Sequence, residues 1–209
     1  VPGKVFAHVL LDRVNPLLVA NRRPQQSGFT TGRSSIDAIL ALRLLSELHQ
    51  SFDKPLYVAY VDLKSAFDSV DRTALWKALR ATGMPKILLN LIEDLYRGTS
   101  CQVRLKGSLS APFRTHSGVR QGCVLAPAVF CRAIDWILRQ ALGNCGVNIS
   151  STTFTDTDYA DDIAVLDSEE ARLEDTLARI ESESSKLGLH ISRPQNYTGL
   201  CPLFVIFQE

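Results

Sequence analysis

Two adjacent carboxylates, Asp161 and Asp162, follow Tyr159 and Ala160 in a stretch that reads as the tip of a hairpin. Thr152, Thr153, Phe154 and Thr155 ahead of them favour a strand, and Ile163, Ala164, Val165 and Leu166 behind them form a short apolar run. A sharp turn lets neighbouring side chains converge, whereas a flat strand sends them to opposite faces. Paired carboxylates repel unless something positive lies between them, and a divalent cation with oxygen ligands is the usual answer. An acidic, solvated loop would look the same in isolation, so the pair needs a partner elsewhere.

The run Pro55-Leu56-Tyr57-Val58-Ala59-Tyr60-Val61 is uncharged and rich in β-branched and aromatic residues, the pattern of a central strand buried on both faces. It ends at Asp62, a carboxylate that is costly there without a metal or hydrogen bonds. The bland alternative is a cap or turn; Asp71 reads as the cap of the amphipathic segment 72–79. Three carboxylates from two strands suit two Mg²⁺ ions. In that chemistry one ion activates a hydroxyl nucleophile and the other stabilises the leaving oxygen of a phosphoryl transfer.

The 209 residues, 45% hydrophobic and 22% charged, suit one globular unit or two small subdomains sharing a core. No apolar stretch is long enough to span a bilayer, so no membrane partner is expected. The start Val1-Pro2-Gly3-Lys4 lacks Met and a secretory pattern and reads as the middle of a larger intracellular protein. Five cysteines without a Cys-x-x-Cys pair argue against a disulfide framework or structural zinc, and the four histidines are scattered. Net charge is only +1, but residues 72–139 hold eleven Lys/Arg against three Asp/Glu, while residues 151–183 hold two against eleven. A polymerising site needs both surfaces: cations along a nucleic-acid backbone and carboxylates around metals. Solvated helix faces explain much of the acidic run 169–183.

The elements that must position these groups follow from spacing. Apolar residues at helical intervals mark 5–20, and Ser34 or Ser35 caps a strong helix over 36–51. Pro85 opens a helix to about 97, residues 101–106 alternate apolar and basic as a hairpin with a basic outer face, and 124–142 is a long apolar helix. A polar helix spans about 168–187. The elements lack regular β-α-β alternation, which points to α+β. The loop Ser117-Gly118-Val119-Arg120-Gln121-Gly122 offers close backbone approach at its glycines, with Arg120 suited to phosphate and Gln121 to a base or sugar.

Four blocks together resemble the reverse transcriptases of non-LTR retrotransposons, with group II intron enzymes as cousins. They are Gln26-Ser27-Gly28-Phe29 through Gly32-Arg33-Ser34, Tyr60-Val61-Asp62-Leu63-Lys64-Ser65-Ala66-Phe67-Asp68, Gly118-Val119-Arg120-Gln121-Gly122-Cys123 with Pro127, and Tyr159-Ala160-Asp161-Asp162. The resemblance implies a right-hand polymerase: an α+β palm whose antiparallel sheet packs on helices (55–192), partial helical fingers (1–54), and an atypical tail (193–209) with no thumb. It implies RNA-directed DNA synthesis, with an RNA template, a DNA primer and dNTPs, using Mg²⁺ at two positions, replaceable by Mn²⁺. Asp62, Asp161 and Asp162 match the metal ligands, joined by the Leu63 backbone carbonyl. Phe67 matches the aromatic gate that stacks under the sugar and rejects a 2′-OH, and Ser65 and Ala66 offer backbone N–H groups to the triphosphate. Arg120, Gln121 and Gly122 match the nucleotide-contacting loop; Tyr159 and Ala160 the primer end; Gly28 and Arg33 the template side. A nuclear or cytoplasmic ribonucleoprotein is the implied setting.

Departures matter. Thr30 stands where many relatives carry Arg, and Ala126 where many carry Ser. Arg193-Pro194-Gln195-Asn196-Tyr197-Thr198 lacks the Lys that assists the leaving pyrophosphate. The expectation is a truncated palm, weakly active or inactive alone. The competing readings are a non-catalytic remnant that binds RNA and an RNA-dependent RNA polymerase; Phe67 argues against the second.

Overall fold

The computed structural model describes residues 2–192 and the backbone of the strand Leu203–Ile206. In chain order the elements are α1 (Pro2–Ala20), α2 (Ser35–Ser51), β1 (Tyr57–Val61), α3 (Ala66–Ser69), α4 (Arg72–Arg80), α5 (Lys86–Tyr96), β2 (Ser100–Cys101), β3 (Arg104–Leu105), β4 (Ser108–Leu109), β5 (Phe113–Arg114), α6 (Leu125–Ala141), β6 (Val147–Ile149), β7 (Thr152–Phe154), β8 (Asp156–Tyr159), β9 (Asp162–Asp167), α7 (Glu170–Lys186) and β10 (Leu203–Ile206). The architecture is α+β, with an antiparallel sheet in the order β10-β1-β9-β8 packed on helices. The atypical tail expected over 193–209 lies outside the described residues except for β10, whose Ile206 and Leu203 stand opposite Tyr57 and Tyr60.

α6 is apolar nearly all round because it is enclosed: Phe130, Ile134, Ile137 and Leu138 are fully buried. Against it pack one stripe of α1 (Ala7, Leu10, Val14, Leu18) and the apolar faces of α4 (Leu75, Leu79) and α7 (Leu173, Leu177, Ile180). Each such Leu or Ile contributes roughly 1.5–3 kcal/mol by leaving water. The sheet lays Ala59, Val61, Ile163 and Val165 on this core. Its other face carries Val58, Ala164 and Leu166, under Leu45 of α2 and Val147 of β6. That second cover stops short of Tyr60, which is 45% exposed. β1 is therefore open on one face beside Asp62, where its sequence suggests burial on both.

The acidic hairpin also departs from its sequence reading. The strand entering it is β8, Asp-Thr-Asp-Tyr, and not 152–155: Thr152–Phe154 pairs with β6 instead. Two aspartates in four residues are poor strand and core material, yet Asp156 and Asp158 are buried. The reason is a set of partners on the loop after α1, described below.

Candidate active site

β1 and β9 pair with Tyr60 opposite Ala164 and Val61 opposite Ile163. One further step of the same register sets Asp62 opposite Asp162, and the pleat puts both on the open face of Tyr60. β8 and β9 close with Tyr159 opposite Asp162, so Ala160 and Asp161 form a two-residue loop. Ala160 has φ 60°, and a positive φ at the first loop residue suits the twist of a tight hairpin. Asp62 and Asp162 are exposed and Asp161 is half-buried. Asp62 thus escapes the burial cost anticipated for it, and it caps no helix; Asp71 does that for α4, its Oδ1 accepting the Ala74 N–H at 2.7 Å.

Burial, then the charges of Asp162 and Asp62, hold the Asp161 carboxyl above its usual range. None of the three carboxylates takes part in an ion pair among the described residues. No three His, Cys, Asp or Glu side chains among the described residues stand close enough together to enclose an ion as they are. The donor set nonetheless has the chemistry a hard divalent cation takes: mutually repelling carboxylates, two of them on exposed side chains.

Below the acids, 190–192 straps the chain that follows β1: Ser192 N–H donates to Asp62 O at 2.7 Å, Lys64 N–H to His190 O at 2.8 Å, and Leu63 bridges Ile191. Ser65 turns left-handed (φ 48°) and Ala66 opens α3. Phe67 stacks on Phe130 with ring centroids 4.3 Å apart. The loop 117–122 docks along α3: Gly118 N–H donates to Val70 O (2.8 Å) and Val119 N–H to Phe67 O (2.7 Å). Gly118 is required there, because at φ 75° a Cβ would lie 2.7 Å from Asp68 Cα and O. Gln121 Nε2 donates to Asp68 Oδ1 at 2.8 Å, so Phe67 and Gln121 belong to one surface, and Gly122 follows in open space. Arg120 is exposed and turned to the end of α5, donating to Leu95 O at 3.0 Å.

On the other side, the loop after α1 runs under the hairpin. Ser27 N–H donates to Asp158 O at 2.8 Å. The Gln26 carboxamide accepts from Ala160 N–H at 3.0 Å and donates to Asp158 Oδ2 at 3.1 Å. Gly28 is buried against the turn: a Cβ would lie 2.9 Å from Ala160 Cα and nearer still to its nitrogen. Tyr159 is half-buried. Arg33 is exposed and donates to Pro24 O at 2.9 Å.

Sequence reasoning missed Arg23. Its guanidinium donates to both Asp156 carboxylate oxygens at 2.5 Å and lies 3.5 Å from Asp158 Oδ2, while its N–H donates to Asp135 Oδ2 at 3.4 Å. All four residues are buried. Burial works against the Arg23 charge, but Asp156 and Asp158 outweigh it and raise its pKa. Burial pushes the Asp135 carboxyl up to about 6 against the pull of Arg23. Asp158 is held well above the usual range, by burial and then the neighbouring Asp156 charge. The signal in the sequence was the spacing of two, which puts Asp156 and Asp158 on one strand face.

The family model described as "Reverse transcriptase (RNA-dependent DNA polymerase)" matches residues 1–194. The chain is 32% identical over 138 residues to the "Retrovirus-related Pol polyprotein from type-1 retrotransposable element R2" of Nasonia vitripennis, covering 66% of this chain. It is 27% identical over 191 residues to the "Retrovirus-related Pol polyprotein from type-2 retrotransposable element R2DM" of Drosophila melanogaster, covering 91% of this chain. The chain spans 14% and 18% of the length of these relatives. Among solved structures, telomerase from Candida tropicalis superposes with TM-score 0.70 at 14% identity, over 95% of this chain and 33% of that one. That likeness identifies the polymerase palm fold.

Proposed function

Because this chain belongs to the reverse transcriptase (RNA-dependent DNA polymerase) family, we propose that it supplies the palm of an RNA-directed DNA polymerase extending a primer 3′-OH with dNTPs on an RNA template. The observation that carries the reading is the register setting Asp62 opposite Asp162 with Asp161 at the adjoining turn. Asp62, Asp161, Asp162 and the Leu63 carbonyl would hold magnesium, with manganese as a substitute. Bound at such ligands, the metal supplies activation of a hydroxyl nucleophile and neutralisation of phosphoryl charge. The other roles belong to the chain itself. Phe67, backed by Phe130, would lie under the sugar and leave no room for a 2′-OH. Ser65 and Ala66 would turn N–H groups to the triphosphate. Gln121, held by Asp68, and Gly122 would meet the incoming nucleotide, with Arg120 beside them. Tyr159 and Ala160 would adjoin the primer end, and Gly28 and Arg33 the template side.

Primer extension tests this. At most weak incorporation of dTTP on poly(rA) primed with oligo(dT), lost in Asp161→Asn, is the expected result for this part of the palm alone. UTP incorporation instead would assign an RNA polymerase. No product from either, with RNA binding intact, would assign a non-catalytic remnant.

A further inference from the structure

Ala160 is a residue with a side chain held at φ 60°, a backbone state that persists only where the surroundings determine it. The tight hairpin favours that state, and one side chain from outside the hairpin brackets it. Gln26 Oε1 accepts the Ala160 N–H at 3.0 Å and the Gly28 N–H at 2.8 Å. Gln26 Nε2 approaches the Ala160 carbonyl at 3.4 Å and donates to Asp158 Oδ2 at 3.1 Å. The two backbone donors at Oε1 fix which end of the amide faces the turn. The Ala160 carbonyl belongs to the peptide that joins Ala160 to Asp161, so rotating that peptide moves the Asp161 carboxylate. Asp158, the other acceptor of Gln26, is steadied from beneath by Arg23, itself fixed on Asp156. The bare Gly28 lets the loop approach closely enough for all these bonds.

We propose that Gln26 is a positioning residue for the acidic turn: its carboxamide brackets Ala160 and so sets where Asp161 stands. Arg23 acts one step further back, through Asp158. Neither residue touches nucleotide or nucleic acid in this role. The functional meaning rests on the reading of Asp161 as a metal ligand, and the test separates the two.

Residue-resolved amide exchange and Mn²⁺ binding followed by electron paramagnetic resonance provide that test. In the unaltered chain the Ala160 N–H should exchange at least tenfold more slowly than an unprotected amide; free exchange overturns the proposal before any variant is made. Gln26→Met keeps the volume and removes the acceptor. It should speed Ala160 and Gly28 exchange tenfold or more, leave the β1 and α6 amides unchanged, and weaken Mn²⁺ binding several-fold. Gln26→Glu keeps an accepting oxygen and should retain slow exchange at Ala160, a rescue that general loosening of the loop would not produce. Unchanged Ala160 exchange in Gln26→Met overturns the proposal, as does acceleration spread evenly over β1 and α6. If the unaltered chain binds no Mn²⁺ while Ala160 exchange still follows the variants, the positioning stands and the metal reading falls.

Discussion

The β8–β9 hairpin and the ribbon formed by β2–β5 both carry charge on antiparallel strands, and they treat that charge in opposite ways. In the first, Asp156 and Asp158 are buried, and bonds from Arg23, Gln26 and Ser27 hold them and the adjoining turn in one place. In the second, every residue from Ser100 to Arg114 is exposed, and Arg104 and Arg114 stand opposite Leu109 and Ser100 without an acidic neighbour. The surrounding stretch 95–134 contains no Asp or Glu at all. Among the described residues the ribbon is tied to the body at its base, by Arg72 donating to Thr99 Oγ1 at 2.9 Å and Thr115 O at 3.0 Å. A buried charge must have its partner at a fixed distance, which makes it a means of placing atoms. A hydrated charge needs no partner and stays adaptable, which suits a track for a polyanion of varying sequence.

The sharpest way to break this comparison is Arg23→Met. It strands Asp156 and Asp158 in the interior and should lower stability by about 3–5 kcal/mol. Denaturant unfolding reads the loss, and a value within about 0.5 kcal/mol of the unaltered chain would put the hairpin in the same class as the ribbon. Gly118→Ala comes next, at about 2–3 kcal/mol, because the new methyl meets the Asp68 backbone at a positive φ. The pH dependence sharpens the contrast further. Asp135 goes from its ordinary 3.8 to about 6 in the folded chain, so the folded state binds the proton more tightly than the unfolded one. Stability from this group should therefore fall as pH rises between those values and level off above them. Asp158, raised for the same reason, acts in the same sense. Asp135→Asn should flatten the slope across that window in urea titrations. The smallest effect belongs to the ribbon. Arg104→Met with Arg114→Met should leave stability within about 0.5 kcal/mol, yet lower the salt dependence of RNA binding by about one unit of slope per cation removed. Equal salt slopes would end the case for a backbone track there.

Much of the molecule was legible from patterns that depend on near neighbours. The apolar spacing of α1, the cap at Asp71 and the long helix from Leu125 need only helical geometry and local hydrogen bonds. The identity of β8 was not legible, since Asp-Thr-Asp-Tyr makes a buried strand only when Arg23 and Gln26 arrive from far along the chain. The docking of the 117–122 loop on α3 is likewise a matter of backbone meeting backbone at Gly118 and Asp68.

The order and types of residues alone determined that this chain carries acids on a tight turn, a third acid at a strand end, and a glycine-bearing loop between them. Tertiary structure decided that Asp62 and Asp162 share a register on an open sheet face. It also decided that the turn beside them is gripped by Gln26. The physical reason is range: helix periodicity and turn chemistry act over a few residues, whereas burying a carboxylate depends on which distant cation or amide the fold delivers to it.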